Sequence, residues 1–304
     1  MRKVLVVVGP TSIGKSSMGV ELAIKYNGEI ISGDSVQVYK KLDIGSAKIT
    51  LEETKGIKHH LIDELDITEA YSVYDFQKGG RELIEDISNN NKLPIIVGGT
   101  GLYIKALLYD YIFNEESPVE QSKYEELTNQ QLYDLLKEKD EEALETIHLN
   151  NRKRLIRALV LAESGTSKTE NLKQQNNELL YDVLIIGLTM DRAELYSRIN
   201  QRVELMFQQG LYNEVNRLYI KYNNLFDLQA LQGIGYKEWI GYFSKEIEID
   251  DVKTLIQRNT RRFAKRQYTW FNNQLNVKWF DINDSDYKEM IDETVAGWLN
   301  DKKI

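Results

Sequence analysis

An octapeptide near the start of the chain has the residue types and spacing that bind a polyphosphate. It reads Gly9-Pro10-Thr11-Ser12-Ile13-Gly14-Lys15-Ser16, the phosphate-loop pattern of two glycines followed by Lys and Ser. Backbone amides of such a loop, and the positive end of the helix after it, can face phosphate oxygens. Lys15 would add a point charge, and the Ser16 hydroxyl would ligate Mg²⁺. The motif predicts a polyphosphate site with Mg²⁺ as cofactor.

The loop alone does not tell which polyphosphate is bound, because ATP and a prenyl diphosphate present the same oxygens. In an ATPase an apolar strand ends in Asp to hold Mg²⁺, but here the strand Pro94–Val97 ends in Gly98-Gly99-Thr100. This weakens a hydrolase interpretation, although Asp34 could serve a kinase. Arg198 and Arg202 lie on one face of a predicted helix and could reach the phosphates, or form only a solvated surface. We favour Arg202.

Four short apolar runs could form the strands that position these residues. They are Val4–Val8, Glu29–Ser32, Pro94–Val97 and Val183–Leu188. Longer helical patterns such as Tyr74–Ile87 alternate with them, which is typical of a parallel sheet covered on both faces. Such sheets bind ligands at the carboxyl ends of their strands. We therefore expect an α/β fold of the P-loop NTPase type, with a parallel sheet flanked by helices.

The segment from Asn114 to Asn177 differs from the rest of the chain. It is polar and helical in period, and it ends in Gln174-Gln175-Asn176-Asn177, which fits a return linker. We interpret residues 114–177 as an inserted helical subdomain. The core domain would then comprise 1–113 and 178–304.

Composition narrows the class of protein. At 304 residues with 42% hydrophobic content, the chain fits one large domain with a smaller one inserted. With Cys at 0, disulfides, thiolate nucleophiles and cysteine-bound zinc are excluded, which fits a reducing compartment. The apolar run Val4–Val8 is too short for a signal peptide or a membrane span. We expect a cytoplasmic protein without a membrane partner.

Positive charge is segregated in this acidic chain. The net charge of -8 argues against indiscriminate nucleic-acid binding, yet no Asp or Glu occurs between Val252 and Phe280. There Arg258, Arg262 and Arg266 recur every four residues, so a helix would carry a basic stripe. The aromatic residues that follow are Tyr268, Trp270 and Phe271. This arrangement suits recognition of single-stranded RNA loops, although a solvated face with Trp270 in the core is the alternative.

Several blocks together resemble the tRNA dimethylallyltransferase family, in the expected order and over nearly the whole chain. Besides the phosphate loop they are Ser32-Gly33-Asp34-Ser35-Val36-Gln37-Val38-Tyr39, Asp43-Ile44-Gly45-Ser46-Ala47-Lys48, His59-His60-Leu61-Ile62-Asp63, Ala70-Tyr71-Ser72, Val97–Tyr103, Gly233-Ile234-Gly235-Tyr236-Lys237-Glu238 and Ala264-Lys265-Arg266-Gln267. The set is far more specific than any single Gly-rich stretch.

This resemblance implies a transferase in which the N6 amine of an adenosine next to the tRNA anticodon displaces diphosphate from dimethylallyl diphosphate. Negative charge grows on the departing diphosphate, so loop amides, Lys15, Arg202 and Mg²⁺ would stabilise the transition state. The implied partners are the tRNA anticodon stem-loop and dimethylallyl diphosphate, and we expect a monomer.

The resemblance also implies that Asp34 is the general base and that Thr100 positions the amine. A carboxylate of pKa about 3.9 is a sufficient base because the nitrogen becomes strongly acidic once bonded to carbon. On sequence grounds alone, Asp34 could instead cap a turn. Together with the basic stripe, the expected tRNA contacts are Asp34, Ser35, Val36, Gln37, Thr100, Lys153, Arg154, Leu155, Ile156, Arg157, Arg258, Arg262 and Arg266.

Other functions remain open at this point. An adenylate isopentenyltransferase would use the same core on free nucleotides, and a P-loop small-molecule kinase would need no prenyl donor. A non-enzymatic RNA-binding module would show no turnover. The inserted subdomain and the basic stripe favour tRNA. His59 and His60 are adjacent but have no third ligand nearby, and His148 is remote in sequence, so we expect structural roles for all three.

Overall fold

The apolar run at the start of the chain forms the central strand of a parallel sheet. The computed structural model describes residues 1–111, 113, 121–163 and 178–301. In it β1 (Lys3–Val8) is buried from Val4 onward. It pairs in parallel with β4 (Leu93–Gly98) on one side and β5 (Asp182–Thr189) on the other. A strand buried on both faces requires cover on both faces of the sheet.

Three further parallel strands complete the sheet. β2 (Gly28–Gly33) pairs with β4 and with β3 (His59–His60), and β6 (Lys278–Asp281) pairs with β5. The order across the sheet is β3-β2-β4-β1-β5-β6. The predicted α/β fold is confirmed, and all four predicted strands are present. β3 and β6 were not predicted because they are short and carry no apolar run.

Strand order brings the predicted site residues to one edge. β2, β4 and β1 are neighbours, so the loops that follow Gly33, Gly98 and Val8 all leave from the same carboxyl edge. Here β2 and β4 approach so closely that a Cβ on Gly98 would lie 2.3 Å from the Gly33 carbonyl oxygen. Glycine is therefore required at that point.

Helices cover the sheet and connect its strands. Their bounds in this part of the chain are α1 Lys15–Lys25, α2 Val73–Asn89, α3 Gly101–Leu108, α6 Arg192–Gln208, α7 Leu211–Lys221, α8 Ile240–Phe243, α9 Ile249–Gln274 and α10 Tyr287–Asn300, with 3₁₀ helices at Leu225–Asp227, Gln229–Gln232 and Lys237–Trp239. α1 packs on β1, β2 and β4, whereas α10 packs on β5 and β6. A capping box starts α2, where Ser72 and Asp75 each accept the other's backbone amide. No helix among the described residues is long and apolar enough to cross a bilayer.

The chain divides into two compact units, Met1–Leu108 with Leu179–Ile304, and Tyr109–Glu178. The first contains the sheet. In the second, α4 (Asn129–Lys139) and α5 (Arg152–Glu163) pack with the 3₁₀ helices Gln121–Tyr124 and Glu141–Glu145 around an apolar core of their own. Of the insertion expected at 114–177, residues 114–120 and 164–177, with the expected linker, lie outside the described residues.

Candidate active site

The predicted phosphate loop joins β1 to α1. Gly9 and Gly14 adopt φ angles of 145° and 99°, which favour glycine. α1 begins directly after Gly14 with no side-chain cap, so the amides of its first turn can bind an anion. Among the described residues, the shielded Ser12 hydroxyl oxygen has no hydrogen-bond partner. A bound phosphate could accept hydrogen bonds from both the Ser12 hydroxyl and the amides of this first turn.

Lys15 is the charged residue of this loop, and its surroundings disfavour the protonated side chain. Its Nζ donates to the Pro10 carbonyl oxygen at 2.7 Å. Desolvation of the ammonium, and secondarily the positive charge of Arg202, lower the pKa of Lys15 to about 7, while Asp34 opposes the shift. The ammonium is therefore poised to gain an anionic partner.

A cavity of about 520 Å³ adjoins the loop. Loop residues Ser12, Lys15 and Ser16 line it, and α6 contributes Arg198 and Arg202. Further apolar lining comes from Val20, Ala47, Ile49 and Leu205. This cavity, the diphosphate cavity, can thus hold a ligand with both anionic and hydrocarbon parts.

Asp34 follows β2, where it caps a turn and lines a cavity. Its Oδ1 accepts hydrogen bonds from the amides of Val36 at 2.8 Å and Gln37 at 3.3 Å, so it caps the turn. Within the part of the chain that the structure describes, Oδ2 has no hydrogen-bond partner. The same side chain lines a second cavity of about 300 Å³. Turn capping and a chemical role are therefore compatible.

The second cavity, the acceptor cavity, lies at the ends of β2 and β4. Asp34, Ser35, Val36 and Thr100 line it, and the Thr100 amide donates to the Gly33 carbonyl oxygen at 3.3 Å. Gln37 instead braces the loop, because its Nε2 donates to the carbonyl oxygens of Ser46 and Ala47. The two cavities share three lining residues, Ser12, Ala47 and Arg202.

Arg202 and Arg198 differ in their surroundings although both lie on α6. Arg202 donates to Thr11 Oγ1 at 3.4 Å and to the Ala47 carbonyl oxygen at 3.3 Å. Desolvation lowers the pKa of Arg202, and the carboxylate of Asp34 opposes that shift. Arg198 pairs with Glu194 at 3.0 Å and leaves 43% of its side chain exposed. Only Arg202 of the two reaches both cavities.

Comparison with known proteins identifies the family that has this architecture. A family model described as IPP transferase matches residues 37–274. The chain belongs to the IPP transferase family. It is 50% identical over 285 residues to a tRNA dimethylallyltransferase of Anoxybacillus flavithermus (strain DSM 21510 / WK1), covering 93% of this chain and 91% of the relative. It is also 50% identical over 286 residues to a tRNA dimethylallyltransferase of Bacillus subtilis (strain 168), covering 92% and 90%.

Solved structures of this family are similar over nearly the whole chain. A tRNA delta(2)-isopentenylpyrophosphate transferase from Staphylococcus epidermidis superposes with a TM-score of 0.73 at 39% identity, covering 98% of both chains. A eukaryotic dimethylallyltransferase acting on tRNA gives a TM-score of 0.83 at 27% identity, covering 97% of this chain and 78% of that one. The family resemblance inferred from the sequence is confirmed.

A clamp in this IPP transferase holds the loop Asp43-Ile44-Gly45-Ser46-Ala47, whose last residue lines both cavities. The Glu214 carboxylate accepts the amides of Asp43, Ile44 and Gly45 at 3.0, 2.8 and 3.1 Å. It also accepts the hydroxyl of buried Tyr236 at 2.9 Å, and that hydroxyl oxygen accepts the Ser46 amide at 3.1 Å. The clamp fixes the backbone next to Ala47, which holds Arg202.

Substituting Tyr236→Phe should lower the free energy of unfolding by about 1 to 3 kcal/mol, because the Ser46 amide loses its buried acceptor and Glu214 loses a donor. Urea unfolding of the variant beside Tyr219→Phe measures this, since Tyr219 is 44% exposed. A variant as stable as the control would show that the Tyr236 hydroxyl contributes nothing to the stability of the fold.

The basic stripe lies on α9, where Arg258, Arg262 and Arg266 are exposed. Arg266 also lines the acceptor cavity, with its guanidinium 5.6 Å from the centroid of the Phe263 ring. The stripe therefore reaches the mouth of the site in this family member.

The aromatic residues that follow the stripe serve the fold. Phe271 is fully buried, and the Tyr268 hydroxyl donates to Thr189 Oγ1 at 2.8 Å. The half-buried Trp270 ring lies against Gly101, where a Cβ would come within 2.1 Å of it. The expectation that these three rings stack on RNA bases is therefore wrong for Phe271. The positions of Tyr268 and Trp270 are explained by their contacts with Thr189 and Gly101.

The residues expected to contact tRNA in the inserted segment lie on α5 in the second unit. Lys153, Arg154 and Arg157 are exposed, and Ile156 packs partly against the core of that unit. Leu155 is fully buried in this core. Its side chain therefore offers no surface to RNA, which corrects the expectation for that residue.

Among the described residues no group of three or more His, Asp or Glu could hold a metal ion. His60 Nε2 is hydrogen-bonded to Glu29 Oε2 at 2.6 Å, and His59 Nδ1 to the Ile57 carbonyl oxygen at 2.9 Å. Ser16 lines the diphosphate cavity. The Ser16 hydroxyl oxygen could contact a hard cation there.

Some residues of the acceptor cavity were not assigned from the sequence. Gln232, Gly233 and Lys237 line it, as do Ile256 and Phe263. The block Gly233 to Glu238 had contributed to the family resemblance, but nothing in its residue types indicated a cavity wall. Ile256 and Phe263 have the spacing of ordinary core positions, so pattern alone could not separate them from the core.

Proposed function

We propose that this protein is a tRNA dimethylallyltransferase, which transfers the dimethylallyl group of dimethylallyl diphosphate to the N6 amine of an adenosine next to the tRNA anticodon and releases diphosphate. One observation carries the proposal. Arg202 lines both cavities, of which one contains the phosphate loop and the other contains Asp34 and Thr100. A leaving diphosphate and an attacking amine need such an arrangement. The names of the relatives support the same activity.

The diphosphate of the donor would bind the amides at the start of α1, with Lys15 and Arg202 as cationic partners. Ser12 Oγ, shielded and without a partner among the described residues, supports a ligand there. As the carbon–oxygen bond breaks, its electron pair leaves with the diphosphate. Fixed positive charge in a desolvated site stabilises that developing charge more than it stabilises the ground state.

Mg²⁺ is the proposed cofactor, and Ser16 is the residue that would hold it. When bound, it would neutralise charge on the leaving diphosphate. The absence of a carboxylate cluster in the described part of the chain fits an ion that arrives with the diphosphate.

The acceptor adenine would enter the acceptor cavity, where its N6 lone pair forms the new bond to the allylic carbon. Thr100 would hold the amine by a hydrogen bond. The nitrogen becomes positively charged and acidic as the bond forms, so Asp34 takes its proton late in the step. The Oδ2 atom is suited to this because Oδ1 already caps the turn.

The basic stripe would hold the RNA backbone near the cavity mouth. Changing Arg258, Arg262 and Arg266 together to Gln should weaken tRNA binding and reduce the slope of log affinity against log salt by about 0.7 to 0.9 for each lost phosphate contact. Filter binding at several salt concentrations measures the slope. Binding of inorganic diphosphate should be unchanged, because Lys15 and Arg202 remain.

A matched control uses basic residues outside the stripe. Lys25 pairs with Asp292 at 2.7 Å on the last turn of α1, and Lys288 pairs with Glu21 at 2.8 Å. Their replacement by Gln should leave the slope unchanged. An unchanged slope in the triple variant as well would mean that the stripe is only a solvated surface.

Incubation with dimethylallyl diphosphate and either tRNA or AMP, followed by mass analysis of nucleosides, tests the function. Dimethylallyl adenosine in tRNA alone supports the proposal. Prenylation of AMP but not tRNA would indicate a free-nucleotide enzyme, and phosphate transfer from ATP without prenylation would indicate a kinase.

We also propose that the enzyme acts as a monomer in the cytoplasm. Lys15, Asp34, Thr100 and Arg202 line cavities that are formed within one chain, which supports a monomer. Light scattering at the concentration used for turnover would test the oligomeric state.

A further inference from the structure

One buried side chain on α9 joins the loops of the two cavities. Gln267 is 5% exposed. Its Oε1 accepts the Thr11 amide at 2.9 Å, and its Nε2 donates to the Gly99 carbonyl oxygen at 3.0 Å. Thr11 belongs to the phosphate loop, and Gly99 precedes Thr100. A single planar amide thus connects the phosphate loop to the loop that carries Thr100.

The chemistry of these two contacts restricts the residue. One backbone group is a donor and the other an acceptor, so the bridging side chain must offer both an acceptor and a donor from one rigid group. Gln does so, whereas ionised Glu offers only acceptors and Met offers only a weak acceptor and no donor. Space is also restricted, because a Cβ on Gly99 would lie 2.2 Å from Gln267 Nε2. Glycine at 99 therefore permits the bridge.

We infer that Gln267 is a positioning residue that sets the distance between the phosphate loop and Thr100, and so between donor carbon and acceptor amine. The inference rests on the proposed function. The Thr11 amide is turned toward Gln267, and the Thr11 hydroxyl oxygen accepts from Arg202. On the other side, the bridge fixes the peptide that carries Thr100. Gln267 lines neither of the two cavities and would act through these two loops.

The reaction rate should report this role more than binding does. In Gln267→Met the single-turnover rate at saturating donor and tRNA should fall by about 10- to 100-fold, as expected for a small misplacement of reacting groups. The dissociation constants of inorganic diphosphate and of tRNA, measured separately, should change by less than about threefold. A loss confined to diphosphate affinity would overturn the bridging role.

Gln257→Met is the matched control on the same helix. The Gln257 Nε2 donates to Glu204 at 3.1 Å and to the Asn200 carbonyl oxygen at 3.5 Å, so the change removes contacts of α9 with α6 but leaves the loops alone. It should retain the wild-type single-turnover rate. If both variants lose rate in proportion to their loss of stability, Gln267 is only a packing residue.

Gln267→Glu gives a signature that a packing role would not produce. A protonated carboxyl group can accept from Thr11 and donate to Gly99, but the ionised form repels the Gly99 carbonyl oxygen. Burial next to a carbonyl should raise the pKa of this carboxyl group. The ratio of the variant rate to the wild-type rate should therefore rise as pH falls from about 8 to about 6. A ratio independent of pH would contradict the proposal.

Gly99→Ala provides a second route to the same bridge, because the added methyl group occupies the position of Gln267 Nε2. In a double-mutant cycle, Gly99→Ala and Gln267→Met should be non-additive, the double variant being no slower than the slower single variant. Additive losses would show that the two residues act separately.

Hydrogen exchange tests the bridge without turnover. The Thr11 amide should exchange faster in Gln267→Met than in wild type or Gln257→Met, since its acceptor is removed. Equal exchange in all three proteins would overturn the bridge. A wild-type protein that fails to prenylate tRNA would reject the proposed function, whereas the exchange result judges the Gln267 contacts independently.

Discussion

Replacing Lys15 with methionine should abolish measurable binding of inorganic diphosphate and lower prenyl transfer by about 10² to 10³-fold or more. Lys15 lies in the diphosphate cavity with a desolvated ammonium. Methionine keeps the hydrocarbon stem and removes the charge, which in a desolvated site has no substitute from water. Calorimetry with inorganic diphosphate and single-turnover transfer to tRNA measure the two effects.

The stability of this variant separates a functional charge from a structural one. The pKa of Lys15 is lowered from 10.5 to about 7 in the folded protein. Below pH 10.5 the folded protein therefore binds this proton more weakly than the unfolded chain does, which lowers the free energy of unfolding. Removing the ammonium relieves that cost, and the free energy of unfolding should be at least that of wild type at pH 7. Lys25→Met, at the far end of α1, should bind diphosphate normally. Wild-type affinity in Lys15→Met would reject the loop as the diphosphate site.

The same lowered pKa predicts that diphosphate binding takes up a proton. Near pH 8 Lys15 is mostly neutral in the free protein, and a bound anion should raise its pKa above that pH. Affinity should therefore fall as pH rises above about 7. Dimethylallyl diphosphate is a suitable probe because a phosphate group with a last pKa of about 6 no longer titrates there. Calorimetry in buffers of different ionisation enthalpy measures the uptake, which the Lys15→Met variant should lack in any residual binding.

Local motifs were the part of the site that the sequence could predict. The phosphate loop is contiguous, and its chemistry depends on backbone geometry that Gly9 and Gly14 impose directly. The choice between Arg198 and Arg202 was harder because four-residue spacing puts both on one face of α6. What separates them is burial and the partner Glu194, and these depend on how α6 packs.

Contacts between distant segments could not be predicted. Glu214 reaches Asp43 across 171 positions, and Gln267 reaches Thr11 across 256. Neither residue stands out in its own helix, since Glu on a helix surface and Gln in a helix are both common. Only the fold brings them to the loops. The two short strands β3 and β6 are similar cases, because their pairing partners rather than their own composition make them strands.

Replacing Asp34 with asparagine should lower the single-turnover rate by about 10² to 10⁴-fold, as expected for loss of a general base. Asparagine retains an oxygen at Oδ1, which can still accept the amides of Val36 and Gln37 and cap the turn. It replaces the Oδ2 oxygen with an amide nitrogen that cannot take a proton from the new carbon–nitrogen bond. Rapid-quench transfer from labelled dimethylallyl diphosphate measures the rate, and tRNA affinity should stay within about threefold of wild type.

Alanine at the same position separates the two roles of the carboxylate. Asp34→Ala removes both the base and the turn cap, so it should lose about 1 kcal/mol more stability than Asp34→Asn. If proton transfer is what matters, the two variants should be similarly slow in the chemical step although they differ in stability. If instead Asp34 acts only by holding the turn, Asp34→Asn should be nearly as fast as wild type and only Asp34→Ala slow. Slow transfer by the well-folded Asp34→Asn variant, with tRNA still bound, would therefore assign the lost rate to the Oδ2 oxygen and leave turn capping to Oδ1.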